Sequence, residues 1–217
     1  MRFAVVGEGL TDFKVLKNLL IGYFKDKNLP VTRLLPVDEE PVGWPNVLKF
    51  LTTKEFRDGV ENTDYTIVQI DTGECQDWGE GLNNIGSDAS LIDNLIASVK
   101  TVLINKIGQA FYNANSNKIL FAITVNEIEC WLLPFNSTTK AHFSKIVGCV
   151  NAIEKLANKR GFSIHQKNYQ DGKHYDDLSQ DMKKNKELRK KSQLNPSLKV
   201  FIDVLDTAFQ PETDEEE

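Results

Sequence analysis

RFAVVGEGLTD, residues 2–12, changes periodicity within a few positions. Residues 2–7 are a short β-rich apolar run ending in glycine. From Phe13 onward the apolar residues Phe13, Leu16, Leu19, Leu20 and Phe24 recur at three- and four-residue steps, as on one face of a helix. Thr11 and Asp12 suit the first turn or the cap of that helix. The chain therefore opens as strand, turn and helix.

The same unit recurs. Residues 31–36 (VTRLLP) read as a second strand closed by Pro36. Residues 44–57 read as a helix with Trp44, Val47, Leu48 and Leu51 on one side and Pro45 where a first-turn proline is tolerated. Residues 65–71 (YTIVQID) are apolar almost throughout, which suits a strand covered on both faces. Residues 74–86, flanked by Gly73 and rich in glycine and asparagine, read as a loop. Ser87 or Asp88 is placed to cap a long helix with the stripe Leu91, Leu95, Val99, Val102 and Ile107. Residues 118–125 (KILFAITV) make a fourth strand, and residues 127–133 (EIECWLL) begin another helix.

An alternation of strand and helix predicts an α/β fold with a mostly parallel sheet flanked by helices, here over residues 1–136. Right-handed crossovers then bring all strand carboxyl ends to one edge. After residue 136 no strand is expected. Residues 144–160, 175–191 and 196–209 read as helices around a polar loop at 161–174, so 137–209 is expected to be a C-terminal helical extension packed on the sheet domain. Residues 210–217 (QPETDEEE) lack apolar anchors and are expected to be a disordered acidic tail.

Bulk properties narrow the classes. The chain has 217 residues, 41% hydrophobic and 26% charged, as in an ordinary globular protein. No apolar run reaches the roughly 18 residues of a membrane span. The first residues lack the zones of a signal peptide, so a cytoplasmic protein is expected. Cys75, Cys130 and Cys149 are odd in number and widely spaced, without a C-x-x-C pair. Isolated buried thiols are expected rather than a zinc site or a disulfide. The net charge of -5 argues against a dedicated nucleic-acid coating protein. Local charge departs from that mean: residues 183–191 (KKNKELRKK) carry six bases against one acid.

Acids follow three of the expected strands. Glu8 follows the first, Asp71 ends the third with Glu74 and Asp77 behind it, and Glu127 and Glu129 follow the fourth. Ligands of open parallel sheets bind outside the carboxyl ends of the strands. Carboxylates gathered there repel one another unless a cation lies between them. Mg²⁺ prefers such oxygen ligands, and the layout fits metal-assisted phosphoryl chemistry. The alternative is that these acids cap helices or face solvent, since helix N-termini favour negative charge. His142, His165 and His174 share no metal-ligand spacing and suit surface or structural roles. Lys167, Lys173 and His174 lie in the polar loop, where they neutralise phosphate or are simply solvated. Trp131 reads as core. The G-x-G-x-x-G fingerprint, a Walker A loop and a Ser-His-Asp pattern are absent.

Residues 5–12 (VVGEGLTD) resemble the first motif of TOPRIM domains, the Rossmann-like metal-binding fold of topoisomerases, primases, ribosomal RNA maturases and OLD-type nucleases. Residues 127–133 (EIECWLL) resemble the E-I-E-x-W-L-L signature of a bacterial group of TOPRIM-like proteins, which often end in a stretch similar to residues 192–205 (SQLNPSLKVFIDVL). The resemblance runs in order over most of the chain. It implies a Mg²⁺- or Mn²⁺-dependent phosphodiesterase or nuclease acting on DNA or RNA. Glu8 is then the catalytic acid or base or a metal ligand. Asp71, Glu74, Glu129 and Glu127 complete the acidic pocket. TOPRIM enzymes carry D-x-D after the third strand, and here Gly73 stands at the second acid's position. Glu74 or Asp77 substitutes, or the site is degenerate. A non-catalytic component of a bacterial defence or toxin-like module is the competing implication, with a homodimer or an operon-encoded protein as its partner. Lys184, Lys186, Arg189 and Lys190, with Lys183, are the candidate contacts to a substrate backbone, against the alternative of a solvated helix face. Glu8 is expected to be an exposed site acid that contributes little to packing.

Overall fold

The computed structural model describes residues 1–37, 42–164 and 171–209. His165, Lys167 and the 210–217 tail lie outside the described residues. In chain order the elements are β1 (Phe3–Val6), α1 (Leu10–Phe24), β2 (Val31–Leu35), α2 (Gly43–Phe50), α3 (Lys54–Glu61), β3 (Tyr65–Asp71), α4 (Ile92–Ile107), α5 (Gln109–Asn115), β4 (Ile119–Thr124), α6 (Glu129–Asn136), α7 (Cys149–Lys159), α8 (Asp171–Leu178), α9 (Asn185–Ser192) and α10 (Pro196–Ala208). The strands form one sheet in the order β2-β1-β3-β4, every pair parallel. This is a Rossmann-like α/β fold. No helix among the described residues is long and apolar enough to cross a membrane.

Side-chain alternation divides the strands between two apolar layers. Phe3 and Val5 of β1, Ile67 of β3 and Leu120 and Ala122 of β4 pack with α1 and with buried residues of α6 to α10. Val6, Val68, Ile70, Ile119, Phe121 and Ile123 point the other way, into the layer with α2, α3 and α4. Residues after 136 thus share a continuous core with the sheet. The contact is closest at Gly22 of α1, where an added Cβ would lie 1.9 Å from the Met182 carbonyl oxygen. At the sheet edge where the strands begin, Phe3, Tyr65, Phe24 and Phe209 form an aromatic cluster, with Tyr65 and Phe209 centroids 4.6 Å apart. That cluster places the C-terminal end of α1 opposite the edge where Glu8 and Asp71 lie.

Two expected helices are divided. The 44–57 stretch breaks after Phe50, because the Thr53 hydroxyl accepts the Phe56 N–H and starts a new helix. The 175–191 stretch breaks at a short 3₁₀ turn, Gln180–Lys183, between α8 and α9. Asp88 caps as expected, though it caps the 3₁₀ turn Ala89–Leu91 that leads into α4.

The cysteines correct the sequence reading. Cys130 and Cys149 form a disulfide, and only Cys75 is a free thiol, buried, its pKa pushed up by desolvation. The chain between α6 and α7 doubles back and brings the two Cα atoms to 5.0 Å. Bridging depends on that spatial approach, which residue spacing along the chain does not report.

Candidate metal and phosphate site

The strand order locates the site. From β1 the chain goes outward to β2, then crosses back over β1 to β3. The crevice between the carboxyl ends of β1 and β3 is thus a topological switch point, where open α/β sheets bind ligands. Glu8 stands on one side of it and Asp71 on the other. A Glu8 carboxylate oxygen accepts the backbone N–H of Asp71 at 2.9 Å. The Glu8 carbonyl accepts the N–H groups of Val42 and Gly43, so the start of α2 lies against the turn.

Both acids line a cavity of about 720 Å³ whose wall also holds Glu74, Glu127, Glu129, Trp44, Asn126 and Tyr175. Glu8 is 6% exposed, Asp71 8% and Glu129 1%, so these are buried acids facing a cavity. The burial of Glu8 differs from the exposed acid expected: its carboxylate turns inward to the Asp71 N–H at the end of β3. The Gln69 amide donates to the Asp71 carboxylate at 2.9 Å and to the Thr124 hydroxyl at 3.2 Å, fixing the carboxylate at the end of its strand. The Tyr175 hydroxyl donates to Glu129, so α8 closes the site from the helical half.

The other acids are held differently. Glu74 is exposed and accepts the Trp44 indole N–H at 3.0 Å. Glu127 accepts the backbone N–H groups of Cys149 and, at 2.9 Å, Val150. It thereby caps the first turn of α7, a structural role that helix N-termini favour for a carboxylate. Gly73 has a packing reason. Its N–H donates to the Asn126 carbonyl at 2.9 Å, and a Cβ on it would sit 3.1 Å from that oxygen. Asn126, held at φ 61°, ties three segments together, donating to Ile146 and Gly86 and accepting from Asn84. A side chain at position 73 would press on this hub.

Sequence reading passed over four side chains here. Asp12, fully buried, lies against the Gly7–Gly9 turn, with one oxygen 3.4 Å from where a Gly9 Cβ would be. It stands in the first turn of α1, one of the two places its sequence position suits, and its place one turn after Glu8 puts both on the inward face of the strand-to-helix turn. Gln69 is two residues before Asp71 and therefore shares its side of β3, a period-2 signal open to reading. Tyr175 and Trp44 carry no local signal, since both arrive from distant segments.

The basic candidates lie elsewhere. Asn185 of α9 donates to the carbonyls of Gly22 and Tyr23, in the last turn of α1. That is roughly 20 Å along α1 from its start beside Glu8, at a rise of about 1.5 Å per residue. Lys184 pairs with Asp181 at 2.8 Å, Lys183 with Asp176 at 3.6 Å and Arg189 with Asp206 at 2.6 Å. Lys186 and Lys190 are exposed, with no ion pair among the described residues. His174 stacks on Phe162 at 4.8 Å, and His142 shares a hydrogen bond with Ser137.

Among the described residues, the group of three whose ligand atoms all approach within 4.8 Å is Glu127, Cys130 and Cys149. The two sulfurs are bonded to each other and offer no thiolate, so this trio does not suit a soft metal as it stands. Glu8, Asp71 and Glu129 present a hard oxygen set around a roomy cavity. Mg²⁺ usually takes one or two carboxylates and keeps several waters, so this donor set fits it without a tight three-way cluster. Comparison with protein-family models and with curated proteins yields no match for the chain.

Proposed function

We propose that this protein is a Mg²⁺- or Mn²⁺-dependent phosphodiesterase of TOPRIM type that cleaves DNA or RNA at the crevice between β1 and β3. One observation carries the reading: Glu8 and Asp71, both buried, meet at the switch point and line one cavity with Glu129. Asp71 and Glu129 would hold the metal, with Glu8 as a further ligand or as the group that moves a proton at the scissile phosphate. When bound, the metal supplies positive charge against the phosphoryl oxygens. Gln69 orients Asp71 and Tyr175 orients Glu129, so the acids are held before substrate arrives.

The test is cleavage of labelled DNA and RNA with either metal by the full chain and by Glu8→Gln. The substitution keeps an oxygen to accept the Asp71 N–H, so the fold is retained. Loss of cleavage by about a hundredfold or more is expected for a proton-transfer group. A second reading draws on Gly73. Its place against the Asn126 carbonyl removes the second acid of the D-x-D pattern. On that reading the protein is a non-catalytic component of a bacterial defence or toxin-like module, and it would be preferred if the wild-type chain cleaves neither nucleic acid with either metal.

A further inference from the structure

A second groove, about 290 Å³, runs along α7 beside the acidic cavity. Lys145, Lys155 and Lys159 line it, with His142 and Thr139 on the facing segment. Asn151 lines both the groove and the acidic cavity, so the two are neighbours at the first turn of α7. Asn151, Lys155 and Lys159 follow one another at four-residue steps, one face of the helix, with Cβ atoms about 5–6 Å apart per step. Over residues 139–160 the bases are Lys140, Lys145, Lys155, Lys159 and Arg160, against the single acid Glu154. Among the described residues Lys145, Lys155 and Lys159 have no ion-pair partner, and Lys155 and Lys159 are exposed.

We infer that this groove is the track for the phosphodiester backbone of a single polynucleotide strand, which runs along α7 and enters the acidic cavity past Asn151. The inference rests on the phosphodiesterase reading only for what happens in that cavity. Three arguments carry it. A phosphodiester strand is held by cationic contacts along its path, and this basic lining borders the acidic cavity directly through Asn151. Lys155 and Lys159, one turn apart with Lys145 across the groove, match a ligand that repeats its own charge, which a lone anion does not. The lining is one face of α7 with the segment 139–148 opposite it, so the groove follows the backbone of one strand. The position of the track is also built in: Glu127 caps α7 and Cys149 ties its start to α6, so the lysines are held in register with the cavity.

The experiment measures binding of fluorescein-labelled oligothymidylate and oligouridylate to the full chain by anisotropy, in EDTA and across a salt series. The wild-type chain is compared with Lys155→Glu/Lys159→Glu, with the milder Lys155→Gln/Lys159→Gln, and with Lys186→Glu/Lys190→Glu on α9 as a control of equal charge change. The charge reversal on α7 is expected to weaken binding at least tenfold. The neutral pair should flatten the salt slope by roughly 1.4, about 0.7 per lost phosphate contact on a single strand. The α9 control should change affinity less than threefold. Equal weakening by the α7 and α9 variants, displacement of the oligonucleotide by an equal concentration of inorganic phosphate, or no binding by the wild-type chain would each overturn the inference. Because binding is read without metal, the two readings separate. A chain that binds through α7 but never cleaves overturns the phosphodiesterase alone. A chain that cleaves while Lys155→Glu/Lys159→Glu binds as well as wild type overturns the track alone.

Discussion

Two basic helices of this protein meet opposite fates. On α9, the densest run of positive charge in the chain, Arg189 grips Asp206 through two hydrogen bonds of 2.6 and 2.7 Å and lies 4.5 Å over the Tyr23 ring. Lys191 reaches Glu187 at 3.1 Å and covers the Phe135 ring. Arg189 thus fastens α9 to α1 and α10, at the edge of the sheet where strands begin, while Lys186 and Lys190 stay exposed. On α7 the bases are sparser along the chain, yet their lysines carry no ion pair among the described residues and open beside the acidic cavity. Charge density along a sequence and charge available to a ligand are different quantities. Long basic side chains with acidic or aromatic neighbours are consumed by packing as much as by pairing.

The largest effect expected on this contrast comes from Gly22→Ala. The added Cβ meets the Met182 backbone at 1.9 Å, and a backbone group cannot rotate away. The docking of the 180–183 turn and of α9 on α1 should be disrupted, with a loss of about 3 kcal/mol or more in urea unfolding. A variant within about 1 kcal/mol of wild type would show that α9 is not anchored through this contact.

The next effect concerns α7. Cys149→Ala removes a disulfide between residues 19 apart, and closing a loop of that size is worth roughly 2–3 kcal/mol. The loss should appear under oxidising conditions and vanish when the wild-type protein is measured with dithiothreitol. If the α7 lysines form a track, the same substitution should also weaken oligonucleotide binding, whereas Gly22→Ala, once folded at low temperature, should not.

Arg189→Ala should cost about 1 kcal/mol, since the pair it breaks is partly solvated. It should leave the salt dependence of nucleic-acid binding unchanged. A salt slope shallower by about 0.7 would move Arg189 from the scaffold to the substrate surface.

The smallest effect is one of pH. Burial first, and then the hydrogen bond to Asp206, raise the Tyr23 phenol from an ordinary 10.0 to about 12. Between those values the folded state keeps a proton that the unfolded chain has lost, so stability is intact below pH 10 and falls as pH rises toward 12. Asp206→Asn removes the second cause and should make that alkaline decline shallower in thermal melts. A decline of unchanged steepness would assign it to another group.

The outline of the fold was legible because its signals are local. The apolar run YTIVQID is β3 residue for residue, and the switch to helical spacing after Glu8 gives α1. The acids after β1, β3 and β4 were legible for the same reason, and parallel topology takes Glu8, Asp71 and Glu129 to one edge. Their individual environments were not. Glu127 and Glu129 are two residues apart, yet one caps α7 while the other is buried against Tyr175. Nothing within residues 127–133 distinguishes them, because the partners come from residues 149, 150 and 175.

What the amino-acid order alone determined was periodicity, hence the parallel sheet, the helices on its faces and the edge where acids collect. The strand order β2-β1-β3-β4 decided that Glu8 and Asp71 flank a crevice. The return of the helical half decided that Cys130 bonds Cys149, that Arg189 of α9 pairs with Asp206 and that the α7 lysines line a groove beside the cavity. Periodicity is carried by neighbours three or four residues apart, so it survives in the linear chain. Pairing of sulfurs, burial of a carboxylate and exposure of a lysine depend on groups tens of residues away, and exist only once the chain has folded to bring them together.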